Sequence, residues 1–236
     1  MNFSTQLSKA SRPLSSWQKI LEWAQLRYRV RTFSKDEQIP TRSGLLYLVE
    51  SGAIRLVGTS PIKAVNINDE SEEPQETTEE AFLGFVSPGE PFEIVTHFCV
   101  SIQAYAHVDR TSVIWMYWHE LDNWANFRGE VFEAFRYQQQ RKLLWLTSLG
   151  QRRTIDRLLS FLTLLIEEYG EPKEQSYYLP YPLTHSQIGS AIGSTRVTVT
   201  RLMGKLRQQG LISIEEDNLI CMPKTAADSS PESEVE

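Results

Sequence analysis

The chain has 236 residues, enough for two domains, and its 41% of apolar residues is an ordinary share for a globular protein. No apolar run approaches the roughly 18 residues that span a bilayer, and no charged, apolar and small signal segment opens the chain, so a cytoplasmic protein with no membrane partner is expected. The net charge of −6 speaks against a nucleic-acid partner only until its distribution is read: Asp69, Glu70, Glu72, Glu73, Glu76, Glu79 and Glu80 form one cluster, Asp228, Glu232, Glu234 and Glu236 form a tail, and setting these eleven acids aside turns −6 into +5.

Residues 1–12 are polar and expected to be loose. Ser16 caps a short helix over residues 17–26, completing an N-terminal segment that ends at 27. The period then changes to two, with Tyr28, Val30 and Thr32 alternating with Arg27, Arg29 and Arg31, which predicts a strand. Residues 44–58 read as two strands joined into a hairpin by a tight Ser51-Gly52 turn. Residues 59–80 carry Pro61, Pro74 and the acidic run at 66–80, with too few apolar side chains to bury anything; they read as a solvated loop, with a protein-binding acidic motif as the other reading. Residues 81–92 return to strand and turn, 100–108 alternate, and 112–118 form an all-apolar final strand. Residues 28–118 are therefore expected to build a small antiparallel β-roll.

From about His119 the period becomes helical, and a long helix is expected over residues 119–149. Phe132, Phe135, Gln139, Leu143 and Leu146 repeat along it at spacings of three and four. Such a stripe needs a partner surface, and its own β-roll is one that could supply it. Gly150 marks a hinge into a domain over 150–224, floored by a helix at 154–169 whose Leu158, Phe161, Leu162, Leu165 and Ile166 face inward.

Residues 183–210 organise that domain. Thr184 and Gln187 have capping-box spacing and Leu183 and Ile188 that of a hydrophobic staple, so a helix begins at His185. Gly193 can take the left-handed conformation that ends it, and Ser194 or Thr195 caps a second helix over 195–209 that stops at Gly210. On that helix Val199, Leu202 and Leu206 form a buried stripe, while Arg196, Val197, Thr200 and Arg201 lie opposite. In a helix-turn-helix two such arginines reach guanine edges in the major groove, and Val197 meets a thymine methyl. Thr184, Ser194, Thr195, Thr198 and Lys205 flank this face, where they would contact phosphates. Residues 211–214 and 219–222 read as strands of a wing joined by a four-residue turn. Residues 225–236 are expected to be a disordered acidic tail. Cys99 and Cys221 stand far apart outside any C-x-x-C pair, so two buried free cysteines and no metal or cofactor are expected.

Residues 183–222 resemble the C-terminal domain of the CRP/FNR family of bacterial transcription regulators, and residues 192–202 are very similar to the recognition helix of the family's cyanobacterial nitrogen-regulator subgroup. Residues 44–58 and the F-x-x-P-G-E-x-F run ending at Phe92 resemble parts of the family's cyclic-nucleotide-binding-like β-roll. The resemblance implies an α+β fold, with an N-terminal β-roll, a dimerisation helix that pairs with its twin, and a C-terminal winged helix-turn-helix. It further implies double-stranded DNA, a second copy of the chain and RNA polymerase as partners. Arg196, Val197 and Arg201 match the family's base-reading positions, which in that subgroup go with a GTA-N8-TAC palindrome.

The sequence departs from the family where its members bind effectors. No Lys or Arg lies between Lys63 and Arg110, the segment that supplies the cationic clamp for cyclic AMP, and Glu93 follows Phe92 where the subgroup's 2-oxoglutarate site has a glycine. A buried phosphate there would be an uncompensated anion, so no cyclic-AMP site is recognisable and the effector is unknown. Glu215, Glu216 and Asp217 stand in the wing where a phosphate-facing turn would prefer lysine. The alternative is a partner-controlled regulator that has lost small-molecule sensing. More remote is a cupin-like metal enzyme, which stoichiometric bound metal would revive; His97, His107, His119 and His185 show neither H-x-H nor H-E-x-x-H spacing, and no enzyme is expected.

Overall fold

The computed structural model describes residues 17–59, 80–94, 100–215 and 218–224, so that Ser16, the acidic segment up to Glu79, His97, Cys99 and the tail expected at 225–236 lie outside them. The described residues fall into two compact units, one up to Gln139 and the other from Gln140.

The first unit contains α1 (Trp17–Gln25), β1 (Val30–Phe33), β2 (Gln38–Ile39), β3 (Leu45–Ser51), β4 (Ile54–Thr59), β5 (Glu80–Val86), β6 (Pro91–Phe92), β7 (Ser101–Ala106), β8 (Thr111–Tyr117), a 3-10 segment (Trp118–Asn123) and the start of α2 (Ala125–Leu149). Its strands form two antiparallel sheets, ordered β1-β8-β3-β6 and β2-β7-β4-β5. Along β3 the pleat sends Leu45, Tyr47 and Val49 into a core shared with Ile54, Val86, Phe92 and Val113. It sends Leu46 and Leu48 into a second core, with Ile20, Trp23, Ile114, Met116 and Val131 from the helical side. A sheet covered on both faces leaves few polar alternate positions, which is why the run after Ser112 in the 112–118 strand is apolar.

Several expectations change here. The 44–58 segment is no hairpin: β3 bonds to β8 and β6, while β4 bonds to β5 and β7, so the Ser51-Gly52 turn carries the chain from one sheet to the other. Gly52 is required there twice over, since its φ is +80° and a Cβ would stand 2.7 Å from the Cα of Thr111. The alternation over 28–32 does not set burial, because β1 is an edge strand that buries Phe33 alone, and Tyr28, ahead of it, packs edge-on against Trp23 at 5.7 Å. The helix expected from His119 starts as the 3-10 segment and breaks at Trp124, whose backbone leaves the helical region and whose ring stacks on Phe127. Phe135, expected on the dimer stripe, is half-buried against its own core, 5.8 Å from the Trp118 ring. Phe132, Gln139, Leu143 and Leu146 are exposed.

The second unit contains the rest of α2, α3 (Thr154–Tyr169), β9 (Glu171–Lys173), β10 (Ser176–Tyr178), α4 (His185–Ile192), α5 (Arg196–Gln208), β11 (Ser213–Ile214) and β12 (Ile220–Pro223). α3 buries Leu158, Phe161, Leu162 and Leu165. Ile166, expected beside them, is only half-buried, and Glu168 is buried instead. The carboxylate is held by Arg141, whose Nε lies 2.7 Å from it and whose Nη2 donates to the Leu164 carbonyl at 2.7 Å. A charge out of water persists only with such partners. The wing is a four-stranded sheet, β11-β12-β10-β9, rather than a two-stranded one. Its first strand begins at Ser213, not Leu211, and Pro223 pairs with Ser176 at the end of β12.

Candidate nucleic-acid interface

α4 starts where the capping box places it. Thr184 Oγ1 accepts the Gln187 N–H at 3.1 Å, the Gln187 side chain accepts the Thr184 N–H at 2.9 Å, and Leu183 and Ile188 are buried on either side of the cap. It ends at Gly193, with φ 63° and ψ 53°. The turn folds back on α4 as the Ser194 N–H donates to the Gly189 carbonyl at 2.8 Å. A Cβ on Gly189 would stand 2.7 Å from the Ser194 carbonyl oxygen, so this glycine, unremarked in the sequence, sets how closely the two helices approach. Its signal was its place four residues before the turn glycine.

Thr195 caps α5, accepting the Thr198 N–H at 3.2 Å and donating to the Thr198 hydroxyl at 3.0 Å. α5 closes in a Schellman motif, with Leu211 N–H donating to the Leu206 carbonyl and Gly210 N–H to that of Arg207. Val199, Leu202, Met203 and Leu206 are buried, Met203 being an addition to the expected stripe. Opposite them Arg196, Val197, Thr200 and Arg201 are exposed together, Val197 by 78%. Among the described residues no ion pair engages Arg196, Arg201 or Lys205, so the cations on this face are uncommitted.

The flanking hydroxyls differ in what they have left to offer. Those of Thr184 and Thr195 serve as caps, the second with its proton already donated, whereas Thr198 keeps its own proton. Ser194 lies half-buried in the turn and Lys205 is exposed on α5. In the wing Glu215 is paired by Lys173, which holds its carboxyl below the usual carboxylate range, and Glu216 and Asp217 lie outside the described residues.

Two further side chains fix the motif from outside it. Trp145 donates through Nε1 to the Ala191 carbonyl at 3.3 Å, and Arg157 donates through Nε to the Ile192 carbonyl at 3.1 Å, through Nη1 to Gln151 and through Nη2 to Thr154. Together they occupy carbonyls at the C-terminus of α4 that the helix itself leaves open. Cys221 is buried on β12, and desolvation raises its thiol pKa, which keeps it protonated and inert. Among the described residues no three His, Cys, Asp or Glu side chains converge to hold a metal, and no helix is long and apolar enough to cross a membrane.

Residues 156–226 match the family model described as a Crp-like helix-turn-helix domain. The global nitrogen regulator of Synechococcus elongatus is 41% identical over 76 residues, 32% of this chain and 34% of that protein, so the match spans about a third of the relative's length. Among solved structures, a transcriptional regulator of the CRP family from Thermus thermophilus matches 84% of this chain and 93% of its own with a TM-score of 0.60 at 22% identity. A cyclic nucleotide-binding domain containing protein from Listeria monocytogenes reaches 0.66 at 12% identity, over 86% of this chain and 95% of its own. Residues 156–226 are thus a Crp-like helix-turn-helix domain, similar in sequence to a global nitrogen regulator, and they stand in a chain whose α+β fold is that of the CRP-family structure it matches.

Proposed function

We propose that the chain is a DNA-binding transcription regulator of the CRP/FNR type, acting in the cytoplasm on a palindromic site as a homodimer, and no enzyme. The observation that carries this reading is the exposed face of α5, where two uncommitted arginines flank branched side chains above a fully buried stripe. Arg196 and Arg201 would read guanine edges, while Val197 and Thr200 face the bases between them. Thr198, Ser194 and Lys205 supply phosphate contacts, with Thr184 and Thr195 ordering the backbone amides around them.

The surface for a second copy is α2. Phe132, Leu143 and Leu146 are exposed by 47%, 53% and 62% on a helix that also carries Gln139, an apolar stripe that costs solubility unless covered. The twin helix is the natural cover, and two-fold symmetry then places two copies of α5 about one helical turn, ~34 Å, apart on DNA. RNA polymerase is the protein partner such a regulator addresses.

Selection from a random duplex library by the full chain tests this reading. The expected product is a palindrome, and light scattering on the free protein is expected to give twice the 27.2 kDa chain mass. Recovery of no sequence preference would overturn it.

A further inference from the structure

Thr200 lies in the middle of the exposed face of α5, and its residue type advertises a hydroxyl to the groove. The geometry directs that hydroxyl elsewhere. Its Oγ1 donates to the Arg196 carbonyl, one turn back on the helix, at 3.0 Å, and it lies 2.8 Å from Nδ1 of His185, the first residue of α4. A hydroxyl has one proton. With that proton on the Arg196 carbonyl, the second contact requires the imidazole to donate, which places a proton on Nδ1.

The oxygen is thereby drawn toward the helix backbone on one side and toward α4 on the other, while the residue as a whole stays exposed. What Thr200 presents outward is its γ-methyl. Val197, three residues earlier on the same face, adds two more methyls, and the pair forms one apolar step between Arg196 and Arg201.

We infer that His185 is a positioning residue that turns Thr200 from a hydrogen-bonding reader into a methyl reader, and that the Val197–Thr200 step recognises the 5-methyl groups of adjacent thymines. In the major groove that methyl is the one apolar feature by which thymine differs from the other bases. The inference rests on the reading of α5 as the helix that enters the groove. It adds His185, a residue of the other helix, to the set that determines sequence preference.

The test uses the full chain and its selected duplex, with each thymine replaced in turn by deoxyuridine, which removes the methyl and keeps every hydrogen-bonding group. Fluorescence anisotropy at fixed salt is expected to show about fourfold weaker binding at one or two positions in each half-site, the effect of one buried methyl. Thr200→Ser, which keeps the hydroxyl and loses the methyl, abolishes the penalty at one of these positions, whereas Thr200→Val retains it. His185→Ala shrinks the same penalty by freeing the Thr200 rotamer, and His185→Asn, which offers an amide N–H near the position of Nδ1, restores it. A merely structural role for His185 would lower affinity for every duplex alike and leave the penalty untouched. Specific binding without any deoxyuridine penalty, or an unchanged penalty in Thr200→Ser, overturns this inference alone. Absence of sequence-specific binding overturns it together with the reading on which it rests.

Discussion

The indole N–H of Trp145, near the end of α2, donates to the carbonyl of Ala191 at the end of α4. Arg157 on α3 takes the next carbonyl, that of Ile192, so two helices brace the residues immediately before the turn into α5. Arg157→Ala should cost about 1.5–3 kcal/mol, because charge-assisted bonds to the Ile192 and Gln151 carbonyls are lost at once. Trp145→Phe, which keeps an aromatic ring beside Phe161, should cost about 1 kcal/mol. Urea unfolding of both variants and of the double variant checks this, and the adjacent carbonyls predict costs that do not add.

Arg196→Ala and Arg201→Ala should each cost ~1–3 kcal/mol on the preferred duplex and relax preference at one base pair. Lys205→Ala should weaken all duplexes about equally and flatten the salt dependence. Competition binding against single-site variants of the duplex separates the two behaviours. A uniform loss in the arginine variants would make them phosphate contacts.

Cyclic AMP should leave DNA affinity unchanged. The Ser87–Glu90 turn, which could in principle cradle a phosphate with its amides, is occupied by the chain's own carboxylate: Glu90 accepts the Ser87 N–H at 2.7 Å and its hydroxyl at 3.2 Å. Arg141, an arginine of α2 that a partner's copy of the helix would bring, is tied to Glu168, and withdrawing it would strand a buried charge. Binding titrations with and without millimolar cyclic AMP measure the coupling. A tenfold tightening, about 1.4 kcal/mol, would reveal a clamp supplied from elsewhere.

The wing sheet should show a modest pH dependence through Lys173 and Glu215. The hydrogen bond from Lys173 depresses the Glu215 pKa, so its contribution is present above the unfolded carboxylate value and is lost as pH falls through the folded one. The bond raises the Lys173 pKa, so that contribution is complete below the ordinary lysine value and is lost as pH rises through the raised one. Glu215→Gln should therefore lower Tm slightly at pH 7, with the difference from the parent vanishing in acid. Exposure of the pair keeps the effect small.

What could be read from the sequence was whatever the chain settles within one or two turns. The capping box at Thr184, the left-handed Gly193 and the stripe of Val199, Leu202 and Leu206 all depend on neighbours no more than a few residues away. The Ser51-Gly52 turn misled because a turn between paired strands and a turn between sheets have the same local chemistry, and only the distant partner β8 decides. Trp145 and Arg157 brace carbonyls 46 and 35 residues away, and no periodicity announces that. Thr200 was correctly placed on the exposed face, but the direction of its hydroxyl was set by His185, 15 residues earlier on another helix. The burial of Glu168 has no sequence signal of its own, because a buried carboxylate is visible only together with its arginine.

The pairing of β1 with β8 also bears on how quickly each unit can form. The hydroxyls of Thr32 and Ser112 meet at 3.0 Å across a separation of 80 residues, so the first strand of the β-roll has no partner until nearly the whole unit has been synthesised. Closing such a loop spends chain entropy before any contact returns it, and topologies of this kind fold slowly. The α4–α5 pair depends on caps three residues long and a turn of a few residues, and helices nucleate in about a microsecond. Refolding of the intact chain should accordingly be biphasic, with the α4–α5 pair ordered early and the β-roll last, although the β-roll leaves the ribosome first.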